Sequence, residues 1–292
     1  MAALDGVLVC DKPAGMTSHD VVARVRRLAG QRRVGHGGTL DPPATGVLLV
    51  ALGRATRLLP FLPMEPKRYV ADIGFGVQTD TLDAAGVVVA TAPVDGVTRD
   101  ALQAALARMT GPIEQVPPMV SAVKQGGERL YLKARRGETV ERAPRPVTVH
   151  ALELLDFRPG PSPAATVAVT CSGGTYVRVL AADLGQALGS LAHLVGLRRT
   201  AVGAFTEAEA HPLAKLEATE GALQDAVIDP AAAMRSVWTR SLSEVEAAAL
   251  ATGQSLEATG RGEPVAAVGP DGRLVAVIQD GAGRARPKVV LG

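Results

Sequence analysis

The chain has 292 residues, 47% of them hydrophobic and 21% charged, a make-up that excludes a chain disordered throughout and allows a sizeable core. A formal net charge of +2 is nearly neutral, so whole-chain electrostatics do not by themselves announce a nucleic-acid partner. Positive charge is instead local: Arg24, Arg26, Arg27, Arg32 and Arg33 form one run, and Lys124, Arg129, Lys133, Arg135 and Arg136 another. Each run reads either as a solvated helix face or as a set of phosphate contacts.

In chain order, Gly6 to Cys10 reads as a short buried strand. Thr17-Ser18 then offers an N-cap to a helix whose apolar face is Val21, Val22, Val25 and Leu28 and whose end is marked by Gly30. Val47 to Leu52 is another short apolar run. Tyr69, Ala71, Ile73 and Phe75 alternate with Val70, Asp72 and Gly74 as a half-buried strand does. Asp100 to Met109 suits a helix, stopped by Gly111-Pro112. Between Val116 and Val149 the pattern breaks up among Pro117, Pro118, Pro144 and Pro146, and an inserted, mobile segment is expected there. Thr166 to Cys171 reads as a strand, Gly173-Gly174 as a turn, and Val177, Leu180, Ala181, Leu184 and Leu188 as one face of a helix. Near the end, a helix over Glu244 to Ala251 precedes small strands around the Pro270-Asp271-Gly272 turn. The expected organisation is a domain over residues 1–236, with the insertion at about 112–150, and a small β-rich domain over 237–292.

Several chemistries lose their simplest support. Cys10 and Cys171, the two cysteines, are far apart and form neither a disulfide framework nor a Cys-x-x-Cys pair. His19, His36, His150, His193 and His211 lack close ligand spacing, so no metal is expected. Gly30 to Gly35 has the spacing of a phosphate loop, but His36 stands where that loop needs lysine. No Gly-x-Ser-x-Gly or Gly-x-Gly-x-x-Gly element occurs. The first residues have no secretory pattern, and Val47 to Leu52 falls far short of the roughly 18 apolar residues of a membrane helix. A cytoplasmic protein without membrane contact is expected.

What remains is the glycine-dense stretch Val34-Gly-His-Gly-Gly-Thr-Leu-Asp-Pro-Pro-Ala-Thr-Gly46, where glycines permit close backbone approach and Asp41-Pro42 favours a fixed turn. Taken alone, the loop reads first as an ordinary turn in which Asp41 serves nearby backbone amides, and only second as a catalytic one.

Together with that loop, motifs spread along the chain resemble the TruB family of bacterial tRNA pseudouridine-55 synthases. The opening Gly6-Val-Leu-Val-Cys-Asp-Lys-Pro-Ala-Gly-Met-Thr-Ser18 resembles the first family motif, and Gly35 to Gly46 the one carrying the catalytic aspartate. Lys67-Arg-Tyr69, Gln78-Thr-Asp-Thr81, and Gln115 to Lys124 with Arg129-Leu-Tyr131 and Ala134-Arg135 follow in order. Cys171-Ser-Gly-Gly-Thr-Tyr-Val-Arg178, Asp183-Leu-Gly185 and Leu197-Arg-Arg-Thr200 close the series. Pro43 departs from the pattern, standing where bulkier apolar residues are common. The C-terminal residues resemble the appended PUA-like domain only in placement, length and order of elements.

The resemblance implies an α+β fold, a mixed and mostly antiparallel sheet flanked by helices, with a β-rich PUA-like C-terminal domain. It implies isomerisation of uridine 55 in the tRNA T loop to pseudouridine, without a cofactor, by a monomer needing no protein partner. Asp41 takes the nucleophile's place, Arg178 that of the arginine paired with it, and Tyr69 that of the tyrosine lying against the target base. His36 matches the histidine that fills the space left by flipped nucleotides, and Leu197 matches a pocket wall. Lys12 and Lys67, within matched motifs, are candidate substrate-binding residues. The alternatives are a guide-RNA-dependent pseudouridine synthase and a noncatalytic tRNA-binding or folding protein.

Overall fold

Strand β1 (Gly6–Lys12) is buried at every position except Asp11, and reads as an unbroken apolar run because both of its faces are covered. The computed structural model describes residues 3–119, 124–125, 128–129, 136, 138 and 140–291. They divide into two compact units, Met1–Met64 with Ala201–Gly292, and Glu65–Thr200.

In the first unit, β1 leads through a short loop to helix α1 (Ser18–Ala29). The Thr17 hydroxyl accepts the Asp20 N–H at 3.1 Å and the Asp20 carboxylate accepts the Thr17 N–H at 2.8 Å, a capping box that satisfies two otherwise orphaned donors. Gly30 ends the helix at φ +60°, a left-handed conformation in which its N–H reaches back to the Arg26 and Arg27 carbonyls. Thr17→Ala should lower stability by about 1 kcal/mol; an unchanged urea midpoint would mean that packing alone holds this terminus. β2 (Val34–Gly37) and β1 both pair antiparallel with β3 (Thr45–Leu52).

The two-residue period of β1 and β3 divides their side chains between two cores. Leu8, Cys10, Leu48, Val50 and Leu52 pack with Val21, Val22 and Val25 of α1. Burial pushes the Cys10 thiol up to about 12, leaving it a packing group. Val7, Val9, Val47, Leu49 and Ala51 face the other core.

The second unit is built on β4 (Lys67–Phe75), in which Tyr69, Ala71, Ile73 and Phe75 are buried in alternation. After the hairpin β5 (Val77–Thr79) and β6 (Val88–Thr91) come α2 (Arg99–Arg108) and β7 (Gly111–Gln115). A small pair, β8 (Lys124–Gln125) and β9 (Glu128–Arg129), lies within the expected insertion. Leu130, Tyr131, Lys133 and Arg135, named above as part of that segment, lie outside the described residues. β10 (Arg145–Arg158), β11 (Ala164–Cys171), α3 (Val177–Ala187) and β12 (Ala192–Val202) complete the set. The sheet order is β12-β4-β11-β10-β7, with β4 to β7 in antiparallel pairs.

Two features depart from the sequence expectation. Arg145 to Val149, read as irregular, forms strand with Gly111 to Gln115. Pro146 is tolerated because the pairing of β10 with β11 begins only at Val149, leaving Pro146 where a missing N–H breaks no second ladder. Helix α3, read as one apolar face, is buried from Val177 through Leu184 except at Asp183.

The chain then returns to the first unit. The last two residues of β12 pair with β13 (Phe205–Thr206), while β14 (His211–Pro212) and β15 (Val227–Ile228) line β1. Past Trp238 a five-stranded sheet forms from β16 (Thr239–Ser241), β17 (Leu256–Glu257), β18 (Val265–Val268), β19 (Leu274–Gly281) and β20 (Arg284–Val290). Its order is β16-β18-β19-β20-β17. Helix α4 (Glu244–Ala251), capped by Ser243, covers it through Leu250. These C-terminal residues have a core of their own. Ala266, Leu274, Val277, Val289 and Leu291 also join the core that holds Val7 and Leu49. The Arg54 and Arg57 guanidiniums donate to the Leu291 and Val290 carbonyls. Among the described residues, no helix is long and apolar enough to cross a membrane.

Candidate active site

Asp41 lies in the loop between β2 and β3, and the opening motif of the chain holds that loop by its backbone. Lys12 is fully buried, and its ammonium donates to the carbonyls of Pro13 at 2.9 Å, Met16 at 2.6 Å and Pro42 at 3.1 Å. The Pro42 carbonyl also accepts the Gly15 N–H at 2.9 Å. On the other side of Asp41, the Leu40 N–H donates to the Ser18 hydroxyl at 3.0 Å, and the Asp41 carbonyl accepts from Ala44 at 3.1 Å in a tight turn. Both neighbours of Asp41 are therefore pinned, and the carboxylate stands half-buried on a backbone with little freedom to reorient.

These contacts give Lys12, read above as substrate-binding, a position inside the fold with three carbonyls around it. Removing the ammonium would leave those carbonyls short of a donor, each a cost that buried polar groups do not recover. Lys12→Met should therefore destabilise the chain by about 3 kcal/mol, read in a chemical melt. A midpoint equal to that of the unaltered chain would mean that these hydrogen bonds carry no net weight.

His36 is on β2, opposite Val50. Its ring meets that of His19 edge to face, with centroids 5.0 Å apart and planes at 84°. In the same unit, α1 and the segment just after it carry the first basic run. Arg24 is paired with Glu217 at 3.0 Å and Arg26 donates to the Val34 carbonyl at 2.8 Å, while Arg27, Arg32 and Arg33 are exposed.

In the second unit, Tyr69 and Lys67 share a face of β4, two residues apart. Tyr69 is hydrogen bonded to Arg199 of β12, the strand next to β4. Arg199 is fully buried, and burial lowers its proton affinity while Tyr69 works in the opposite direction. Lys67 is also held below the usual lysine range, first by burial and then by Arg199. Glu65 accepts the Gly173 N–H at 2.9 Å, which ties the start of β4 to the Gly173-Gly174 turn. Leu197 lies half-buried on β12, two residues before Arg199.

Arg178 sits in the first turn of α3 and is 4% exposed. It faces Asp83 at 3.5 Å and the Thr81 carbonyl at 3.5 Å, with the Tyr176 ring 6.0 Å away. The other oxygen of Asp83 accepts from the Thr81 hydroxyl at 2.7 Å and the Ala85 N–H at 3.0 Å. Leu82, beside it, is left-handed at φ 63°, a conformation costly for leucine. A bridge between Asp83 and Leu194 fixes this turn to β12. Gln115, part of a matched motif, is buried and uses both ends of its amide on Tyr176, accepting its N–H at 2.9 Å and donating to its carbonyl at 3.4 Å. The start of α3, and so Arg178, is thereby set from β7.

The structure thus brings Lys12 to the Asp41 loop in one unit, and in the other joins Tyr69 to Arg199, beside Lys67, and Arg178 to Asp83. Asp83 and Arg199 were not singled out in the sequence. Arg199 stands within Leu197-Arg-Arg-Thr200, where its place two residues before buried Ala201 was the available signal. Asp83 lies just past Gln78-Thr-Asp-Thr81 with no periodicity to distinguish it. Among the described residues, no three His, Cys, Asp or Glu side chains gather as a metal site would require.

Family models match the chain almost end to end. Residues 26–177 match the N-terminal domain of the TruB family pseudouridylate synthases, residues 178–235 a tRNA pseudouridylate synthase B C-terminal domain, and residues 239–292 the C-terminal part of tRNA pseudouridine synthase II. A curated relative from Thermobifida fusca (strain YX), named tRNA pseudouridine synthase B, is 49% identical and covers 98% of each chain. One of the same name from Arthrobacter sp. (strain FB24) is 46% identical over 98% of this chain and 96% of that one. Among solved structures, a chain from an H/ACA ribonucleoprotein bound to a substrate RNA containing 2′-deoxyuridine aligns at TM-score 0.73. It is 26% identical, over 98% of this chain and 85% of that one. A chain of a Cbf5-Nop10-Gar1 complex aligns at TM-score 0.71 and 29% identity, over 97% and 84%.

Fold and sequence together define a pseudouridine synthase, an isomerase that moves the uracil of a uridine from an N-glycosidic to a C-glycosidic bond. Within that class, the chain belongs to the TruB family.

Proposed function

We propose that this chain isomerises uridine 55 in the T loop of tRNA to pseudouridine, with Asp41 as the nucleophile. The observation that carries the reading is the pinning of Leu40 and Pro42 by Ser18, Gly15 and Lys12, which presents one carboxylate on a fixed backbone. A tRNA substrate follows from the relatives' names and near-complete coverage.

The reaction breaks the bond from N1 to C1′, turns the uracil and joins C5 to C1′, with no net redox change and no energy input. It needs a carboxylate beside the sugar and base, a cation to keep that carboxylate ionised and oriented, and a group that accepts the C5 proton. Asp41, Arg178 and Tyr69 fill these places. The target base must first leave its stack, at a cost of about a few kcal/mol; His36, steadied by His19, fills the space it vacates. Leu197 walls the base pocket, and Lys67 meets the RNA backbone. Lys12 acts through the turn it holds. Residues 237–292 form the appended PUA-like domain, residues 1–236 carry the chemistry, and the basic segment at about 112–150 grips the T arm. The chain works in the cytoplasm as a monomer, without a guide RNA.

The purified chain should release tritium from an unmodified tRNA transcript labelled at C5 of uridine, because C5 loses its hydrogen when it joins C1′. No release without an added guide RNA and partner proteins would overturn the stand-alone reading in favour of a guided enzyme.

A further inference from the structure

Arg199 is among the largest fully buried side chains of the described residues. It lies on β12 beside β4, and its guanidinium is hydrogen bonded to the Tyr69 hydroxyl. Tyr69 is itself only 7% exposed. A cation in the interior is costly unless a nearby group compensates it, and the Tyr69 hydroxyl is such a group. Lys67 on β4 is near enough to Arg199 to feel its charge, and Cys171 on β11 and Glu65 just before β4 are near Lys67; Arg178, on α3, faces Asp83. The phenol of Tyr69 is thus hydrogen bonded to a buried cation on the neighbouring strand.

We propose that Arg199 is a positioning residue for the isomerisation: a buried cation that holds Tyr69 in its proton-accepting form and fixes where its oxygen points. This rests on the reading of Tyr69 as the group that takes the C5 proton. When C5 joins C1′, C5 becomes tetrahedral and still carries its hydrogen, while C6 is doubly bonded to N1. The Tyr69 oxygen, as phenolate, removes that proton. The released electron pair forms the C5–C6 double bond, the C6–N1 pair moves onto N1, and the phenol returns the proton to N1. The phenolate is regenerated and the ring ends neutral. A neutral phenol could not begin this sequence, because its oxygen would have to become an oxonium. The guanidinium supplies what burial withholds: a charge that favours the anion.

The test uses the full chain with unmodified tRNA transcript, comparing Tyr69→Phe, Arg199→Lys and Arg199→Met. Arg199→Met should lower kcat about 100-fold with KM changed by less than about threefold, and should move the acidic limb of the kcat–pH profile up by about one unit or more. Arg199→Lys, which keeps the charge without the planar fork, should recover about tenfold of that loss. Tyr69→Phe should be inactive. An active Tyr69→Phe would overturn the reading of Tyr69; an inactive Tyr69→Phe with an unmoved pH profile in Arg199→Met would overturn the role of Arg199 alone. Should Arg199→Met fail to fold, the unaltered chain still decides. With three tyrosines in the sequence, 13C labelling at the ring carbon bearing oxygen resolves Tyr69, assigned through Tyr69→Phe. It should ionise below the ordinary tyrosine value of about 10, and ionisation at or above that value would contradict the proposal.

Discussion

Asp41→Asn should bind tRNA and make no pseudouridine. The substitution keeps size and shape, and Lys12, Gly15 and Ser18 hold the loop through the backbone of residues 40 and 42. The turn should therefore persist, and tRNA affinity should change by less than about threefold, or about 0.6 kcal/mol. What is lost is the only chemistry an amide cannot supply, a full negative charge with a nucleophilic oxygen. A fall in kcat of roughly 10⁴ or more is expected, the scale seen when a nucleophile is removed from a site that otherwise stays intact. Single-turnover assays beside a filter-binding measurement separate the two quantities. A variant that binds weakly and turns over well would place the chemistry elsewhere.

Arg178→Met should lower both stability and turnover, through two separable effects. Its guanidinium is buried against Asp83, so truncation strands a carboxylate in the interior, at a cost of about 3 to 5 kcal/mol. It also removes the cation proposed to orient Asp41, for which a loss of about 10² to 10³ in kcat is expected. Arg178→Lys divides these effects. It retains charge near Asp83 and should recover most of the stability, but a compact ammonium cannot reproduce the planar guanidinium, one terminal nitrogen of which faces both Asp83 and the Thr81 carbonyl. Its kcat should remain at least about tenfold low. Equal kcat in Arg178→Lys and the unaltered chain would show that charge alone suffices.

The parts of this fold that were legible in the sequence are those governed by local rules. Thr17, Gly30 and the valines between them mark α1 because capping and a 3.6-residue period act within a few residues. The alternation from Tyr69 to Phe75 marks β4 for a similar reason. The helix from Glu244 to Ala251, with Ser243 before it, has the same kind of signature. What escaped was set by distant partners. Lys12 and Arg199 read as surface residues by type, yet both are fully buried, and each is met by a group far along the chain: the Pro42 carbonyl for Lys12, beside those of Pro13 and Met16, and Tyr69 for Arg199. Asp83 meets Arg178 across nearly a hundred residues, and no spacing rule joins them. Arg145 to Val149 looked irregular because two prolines flank or enter it, while its strand character comes from β7. The candidate residues Asp41, Tyr69 and Arg178 came from motif resemblance; the sequence alone assigned Asp41 no more than a turn.

The most direct test of the central claim is mapping pseudouridine by carbodiimide adducts and primer extension on an unmodified tRNA transcript incubated with the purified chain alone. A single stop reporting position 55 in the T loop, absent with Asp41→Asn, is the predicted result. Modification at another uridine, or an unchanged stop at position 55 with Asp41→Asn, would contradict it.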